Sequence, residues 1–226
     1  MKTLILNFLF MTNLTFAQSA YEIQSDELNL ANIGLLKGMN QSGETSQCTA
    51  TVIAPRLILT AAHCLFSNND EIFEKLEFYP NYNSSDKSHS RIKVINSFYK
   101  KSTIGSDIKS DIALLELQSS LKVYIPLATH TDEFGPITIV GYPDIVSVQN
   151  AWLSECYIDE RQGPALLYDC PTAPGMSGAP ILKMNNNGRY ALVGIHIGKR
   201  TDDQINIGLG NLKVILNGLI NGPTLF

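Results

Sequence analysis

The chain has 226 residues, with 17 Lys+Arg against 21 Asp+Glu and a formal net charge of −4. Its 44% hydrophobic and 17% charged residues are the balance of a folded chain, not a disordered one. A net negative charge without a basic cluster argues against nucleic acid as the main partner, and no apolar run reaches the roughly 18 residues of a spanning helix.

Taken in chain order, the first element is an export signal. Lys2 supplies the positive charge, Leu4 to Ala17 is apolar with polar interruptions, and Thr15-Phe16-Ala17 offers small residues for cleavage after Ala17. Residues 1–17 are thus expected to be removed, leaving 18–31 as an N-terminal segment that is itself open to processing; a short buried helix is the alternative for the leader. No Cys follows the cleavage point, so no lipid anchor is expected there. Glu22-Ile23 is a bond that an enzyme cutting after Glu could process in its own chain. The destination is secreted or periplasmic, an oxidising compartment in which cysteines pair. Four cysteines allow three pairings. The local ones, Cys48 with Cys64 and Cys156 with Cys170, close loops of about 15 residues, each worth ~3 kcal/mol by loop entropy. A zinc site is the rival use of these thiols, but neither Cys-x-x-Cys nor His-x-x-x-His occurs.

After the leader the sequence is a series of short β-prone runs parted by polar or Gly/Pro turns. The plainest are Thr51–Ile53, Leu57–Thr60, Ile92–Phe98, Ile112–Leu117, Ile137–Val140, Val146–Leu153, Ala179–Leu182 and Tyr190–Ile197. Ser67–Ser90 reads as loop with one strand near Leu76–Tyr79. Asn185–Gly188 reads as a hairpin loop. Trp152 is expected to pack in a core, and His89 and His130 to be solvated. Leu212, Ile215, Leu216 and Leu219 fall at helical spacing, which predicts a short C-terminal helix over 211–220 with Asn211 as its cap. Gln118-Ser119-Ser120 breaks the pattern near Leu117–Pro126 and divides the chain into two similar halves. Such spacing predicts an all-β sandwich or barrel.

Three local patterns carry chemistry: Thr60-Ala61-Ala62-His63-Cys64, Asp111-Ile112-Ala113-Leu114-Leu115, and Gly175-Met176-Ser177-Gly178-Ala179-Pro180. A serine hydroxyl is a poor nucleophile at neutral pH and needs a base to take its proton. Imidazole, with an unperturbed pKa of about 6.5, suits that task. A carboxylate then holds the ring in the right tautomer and stabilises its cation. Glycines let the serine turn tightly and aim backbone N–H groups at a developing oxyanion. Asp107 competes with Asp111 for the carboxylate role but lacks the apolar strand that follows Asp111.

The order His, Asp, Ser and these motifs resemble the chymotrypsin-like (trypsin-like) serine proteases. The resemblance covers roughly Asn32 to Ile220. It implies an all-β fold of two packed six-stranded antiparallel β-barrels with a short C-terminal helix. The protease domain would span 32–222, with the first barrel over about 32–120 and the second over about 121–210. It implies His63 as general base, Asp111 as its orienting partner, Ser177 as nucleophile, and the Gly175 and Ser177 N–H groups as oxyanion hole. Cys48 stands where the family places the disulfide partner of Cys64.

Two positions depart from trypsin. Met176 replaces the Asp that precedes the family's serine and receives the new N-terminal ammonium on zymogen activation, so that switch is absent. Pro171 replaces the Asp of the pocket floor, which removes the warrant for Arg or Lys preference. Tyr168 to Gly178, Gly141-Tyr142-Pro143 and Gly194-Ile195-His196 instead resemble the bacterial glutamyl endopeptidases. In that branch a Thr and a His bind the substrate's acidic side chain, and Thr172 and His196 stand at the matching places. A protonated His196 would add Coulomb attraction. The expectation is a secreted, monomeric serine endopeptidase that acts on protein or peptide substrates through an acyl-enzyme, cleaves after Glu or Asp, and needs no metal or cofactor. The alternative is a protease-like binding protein without turnover. An α/β-hydrolase esterase would need the order Ser, Asp, His and Gly-x-Ser-x-Gly, and has neither here.

Overall fold

The computed structural model describes residues 19–23, 32–85, 90–100, 107–128, 134–145, 150–200 and 202–221. His89, His130 and the leader lie outside them. Strands β2 (Ile33–Met39), β3 (Thr45–Ala54), β4 (Leu57–Thr60), β5 (Lys75–Pro80), β6 (Ile92–Tyr99) and β7 (Ala113–Leu117) close into a barrel in the order β2-β3-β4-β7-β6-β5. Strands β8 (Gly135–Gly141), β9 (Trp152–Gln162), β10 (Ala165–Tyr168), β11 (Pro180–Met184), β12 (Tyr190–Lys199) and β13 (Asn206–Leu209) form the second ring, β9-β10-β13-β12-β11-β8, which the β8–β9 pairing closes. All strand pairings within both rings are antiparallel. One short helix, α1 (Leu212–Asn221), follows. The expected architecture of two six-stranded barrels and a C-terminal helix is what the chain adopts.

The second barrel gains an edge strand. β1 (Ser19–Glu22) pairs with Trp152–Glu155 of β9, and Ile23 donates to the Ala151 carbonyl and is buried. The Glu22-Ile23 bond therefore sits at the end of a ladder, and cutting it requires β1 to peel away first.

Three apolar clusters explain how the barrels form and join. One fills the first barrel around Leu36, Val52, Ile58, Phe78 and Leu115. Another fills the second around Ile139, Leu166, Tyr168 and Ile181. A third lies between them, with Ile33, Leu35, Leu59 and Leu114 from one barrel and Val140, Leu153, Leu192 and Ile195 from the other. Leu212 and Leu216 of α1 belong to this shared cluster, which is the packing role their spacing predicts. The connection between the barrels is laced to both. Ile125 donates to Val52, and Ala128 donates to Leu192.

Several elements were not apparent as strands in the sequence. β2 carries Gly34 and Gly38, which normally weaken a strand. A Cβ at Gly34 would lie 2.5 Å from the Phe78 ring and from the Tyr79 carbonyl, so close packing of β2 on β5 requires the glycine. β13 is Asn-Ile-Gly-Leu, again poor in β-formers. The strand expected over Val146–Leu153 begins only at Trp152, residues 146–149 being outside the described set, and runs on to Gln162. Trp152 packs against the second-barrel cluster. Asn211 precedes α1 at φ +56°, a left-handed conformation rather than the extended one of a usual N-cap, and its carbonyl accepts from Val214 and Ile215.

Both local cysteine pairs are bonded, Cys48–Cys64 and Cys156–Cys170. Cys156 lies on β9 and Cys170 just after β10, so the second bond ties the sheet to the segment that leads to Ser177. Replacing Cys156 and Cys170 together by Ala is expected to lower unfolding stability by ~3 kcal/mol. The urea midpoint of reversible unfolding measures it.

Candidate active site

His63 stands in a 3-10 turn, Ala62–Leu65, entered directly from β4. The turn exists because β4 ends against the barrel core, with Ala61, Ala62, Cys64 and Leu65 all buried, which leaves His63 as the residue facing outward. Asp111 terminates a second 3-10 turn, Ile108–Ser110, and opens the buried run Ile112–Leu115. Its two carboxylate oxygens divide their work. Oδ1 accepts from the His63 backbone N–H at 2.9 Å, and Oδ2 lies 2.8 Å from His63 Nδ1. A carboxylate only accepts, so this contact puts the ring proton on Nδ1 and leaves Nε2 with a free lone pair. The His63 side chain is 31% exposed and that of Asp111 11%, so the pair faces solvent through the imidazole alone. Asp107 does something else: it is exposed, caps its turn by accepting from the Lys109 N–H at 3.0 Å, and takes the Ser110 hydroxyl.

Ser177 sits on a turn between two left-handed glycines, Gly175 at φ +89° and Gly178 at φ +80°. Each is glycine for a second reason as well. A Cβ on Gly175 would be 2.5 Å from the Asp144 nitrogen and 2.6 Å from the Tyr142 carbonyl, and one on Gly178 would run into Thr60 and the Thr49 carbonyl. Met176 between them is fully buried in the second-barrel cluster. Among the described residues, neither the Gly175 nor the Ser177 N–H has an acceptor.

The turn is held from the first barrel. Thr49 donates its N–H to the Ser177 carbonyl at 2.8 Å and its hydroxyl to the Gly175 carbonyl at 3.1 Å. The same hydroxyl accepts from the Tyr142 N–H at 2.9 Å. The Cys64 sulfur lies 3.8 Å from the Ser177 carbonyl oxygen, so the histidine turn and the serine turn touch. Ser177 Oγ itself donates to the Ile197 carbonyl at 3.3 Å, not to His63. Hydrogen bonds of this kind are often long or misaligned without substrate and tighten when it binds.

His196 is brought alongside by strand pairing that spacing alone could not give. Gly178 donates to the His196 carbonyl and His196 donates to the Ala179 carbonyl, both at 2.8 Å. The imidazole is buried, with Nδ1 2.7 Å from the hydroxyl of the fully buried Tyr168. Burial, and then the neighbouring charges of His63 and Lys199, push its pKa down to about 3. His196 is therefore neutral at neutral pH, so the Coulomb attraction that a protonated ring would add is not available. Thr172 donates its hydroxyl to Asn206 Oδ1 at 2.5 Å, while Asn206 Nδ2 donates to the Cys170 carbonyl at 2.7 Å. Tyr168, Asn206 and Thr49 had no assigned role in the sequence reading. Only Tyr168, inside the quoted motif, carried any signal. The Cys48, Cys64 and His63 ligand atoms also cluster, but both sulfurs are consumed in the disulfide.

Residues 48–195 match the trypsin-like peptidase domain family. The chain belongs to that family. This trypsin-like peptidase is a hydrolase of the serine endopeptidase type. No curated protein sequence matches it. Among solved structures it is similar to a Glu endopeptidase in complex with MPD, at 21% identity and a TM-score of 0.73 over 88% of this chain and 94% of that one. It is also similar to the thermostable serine protease AL20 of an extremophilic microorganism, at 18% identity and a TM-score of 0.67 over 80% and 92% of the two chains. Protease Anisep of Arthrobacter nicotinovorans matches at 13% identity and a TM-score of 0.65, over 80% and 90%. At these identities the likeness establishes the shared fold.

Two measurements test how the peptidase's site is held. Thr49→Val keeps the shape but leaves the Tyr142 N–H and the Gly175 carbonyl without their partner; a loss of ~2–3 kcal/mol is expected, read as a lower urea midpoint. For His196, the unfolded ring binds its proton near pH 6.5 and the folded one only near 3. Its burial contributes stability in full above about pH 6.5, and that stability is lost as pH falls, at up to ~1.4 kcal/mol per pH unit. A His196→Gln variant should show a flatter acid limb in melting temperature between about pH 6.5 and 4 than the parent.

Proposed function

We propose that the peptidase cleaves through Ser177 as nucleophile, His63 as general base and Asp111 as its orienting partner. The observation that carries this is the two-point grip of Asp111 on His63, which leaves Nε2 able to take a proton, on a turn that touches the serine turn through Cys64. Ser177 Oγ leaves the Ile197 carbonyl, attacks the substrate carbonyl and gives its proton to Nε2. The Gly175 and Ser177 N–H groups receive the oxyanion. His63 then protonates the departing amine, and water hydrolyses the acyl-enzyme by the same route in reverse. All these groups come from one chain, so a monomer suffices.

The residue before the scissile bond enters beside Thr172 and His196, with preference for Glu or Asp. The position of His196 against Gly178, and the likeness to a Glu endopeptidase, support this. Loss of residues 1–17 on export to an oxidising compartment completes the reading, and the two disulfides fit it.

Ser177→Ala and His63→Ala are each expected to lower kcat by ~10⁴-fold or more, with the fold kept by circular dichroism. A fluorophosphonate probe should label the parent and not Ser177→Ala; a folded parent that fails to label would mark a binding protein without turnover. On peptides that differ only before the scissile bond, Glu is expected to exceed Gln and Leu in kcat/KM. Equal rates on all three would reject the acidic preference.

A further inference from the structure

The first barrel carries a groove that the chemistry above does not use. Its volume is about 810 Å³, within the range of ligand sites, and it lies on the outer face of β3, β2, β5 and β6. Register builds its floor. Lys37 of β2 stands opposite Gln47 of β3 and Glu77 of β5, and Glu77 stands opposite Lys93 of β6. Cross-strand partners share a face, so these four side chains form one polar row. Two residues back on the same face, Leu35 and Thr49 stand opposite each other and are buried, Leu35 in the cluster between the barrels. The groove thus begins where cover by the second barrel ends. Its inner end touches both turns of the site. Ser46 Oγ donates to the carbonyl of Cys64, next to His63, at 3.5 Å. Gln47 Nε2 donates to the Pro143 carbonyl at 3.3 Å, and the Asp144 N–H donates to the carbonyl of Pro174, next to Gly175, at 2.7 Å.

Charge in the groove is unevenly spent. Glu77 takes Arg91 at 3.5 Å and the Tyr79 hydroxyl at 2.9 Å, and Glu74 takes the Gln41 amide. Among the described residues, no carboxylate pairs with Lys37, Lys75 or Lys93. Lys75 and Lys93 are exposed, but Lys37 is half-buried and held in place. Its Nζ lies 5.6 Å from the ring centre of Tyr79 and 5.3 Å from that of Tyr82. An ammonium braced by two aromatic faces is a positioned charge, and here it lacks an anion. Asp144, the acid facing these lysines, is exposed at the inner end, so the positive field lies farther out.

We infer that this groove binds the part of a protein substrate that follows the scissile bond, with Lys37 as the anchor for an Asp or Glu side chain in it. The inference rests on the Ser177 and His63 roles proposed above, and not on the preference for Glu before the bond. His63 gives its proton to the departing amine, so the chain after the bond leaves on the His63 side of the serine turn, where Ser46 meets Cys64. From Thr49, which binds the Ser177 carbonyl, Gln47 is two residues along β3, about 7 Å, and Lys37 is one strand across, about 5 Å. An extended chain covers that path in about three to five residues. A carboxylate at that place makes a charge-assisted contact with the Lys37 ammonium, and Lys75 and Lys93 add a weaker attraction that salt screens.

The test measures kcat/KM on three peptides that share the residue before the scissile bond that the parent cleaves best. One stops two residues after the bond; the others run on with Glu or with Gln at the third to fifth residues. In the parent the Glu-extended peptide should exceed the Gln-extended one about tenfold, and the ratio should fall between about 0.02 M and about 0.5 M salt. Lys37→Met should bring the ratio to within about threefold of one and leave the rate on the short peptide unchanged, while the surface variant Lys213→Met keeps the parent's ratio. Equal rates on the two extended peptides in the parent overturn the groove's role and leave the peptidase reading standing. A ratio that survives in Lys37→Met, or a Lys37→Met variant that loses the short peptide as well, overturns Lys37 as the anchor. A folded parent that cleaves none of the three and takes no fluorophosphonate overturns the peptidase reading and this inference with it.

Discussion

Thr49 joins the two barrels at the serine turn, and the geometry of the site depends on what this one residue binds. Its N–H holds the Ser177 carbonyl, its hydroxyl donates to Gly175 and accepts from Tyr142, and its own carbonyl accepts from Thr60. Thr49 and Thr60 are fully buried, so each bond forms where water cannot replace it. A hydroxyl is needed here because one atom must both give and take a hydrogen bond. The disulfide from neighbouring Cys48 to Cys64 then fixes the His63 turn to the same strand. Thus the His63 turn of one barrel and the Ser177 turn of the other are referred to a single buried point, and small shifts between the barrels need not separate them.

The binding side is built on different physics. Tyr168 and His196 are buried against each other, and burial raises the tyrosine's pKa as it lowers the histidine's. Two neutral groups sharing one hydrogen bond cost far less to bury than an imidazolium would. Polar groups can therefore sit inside the second barrel without opening it.

The chemistry-bearing motifs were readable because each is local. An apolar run followed by Ala-Ala-His-Cys, an Asp that opens a buried strand, and a Ser between two glycines all announce their surroundings within a few residues. Rival Asp107 could be set aside in sequence for the same reason, since no apolar strand follows it. The pocket could not be read in that way. Asn206 matters through a hydrogen bond to Thr172, 34 positions away, and reaches it only because β13 pairs with β12 and β10. That strand is Asn-Ile-Gly-Leu, with two β-poor residues in four, so neither its existence nor its register was visible. The protonation state of His196 was out of view for a related reason. Its ring meets Tyr168, a partner 28 positions earlier, inside the barrel, and burial decides the charge.

Met176 shows how the serine turn can be ordered without an ion pair. Where the family's Asp must find an ammonium, the pair gains Coulomb energy only after two charges lose their water, and the net is often near zero. The loop then depends on an event elsewhere in the chain that frees the ammonium. A buried Met contributes about 1.5–3 kcal/mol from its apolar surface and requires no such event. Here Met176 lies within the second-barrel cluster, between Gly175 and Gly178 in their left-handed conformations. Order at the serine turn thus rests on apolar burial within the barrel and not on an ion pair at this position.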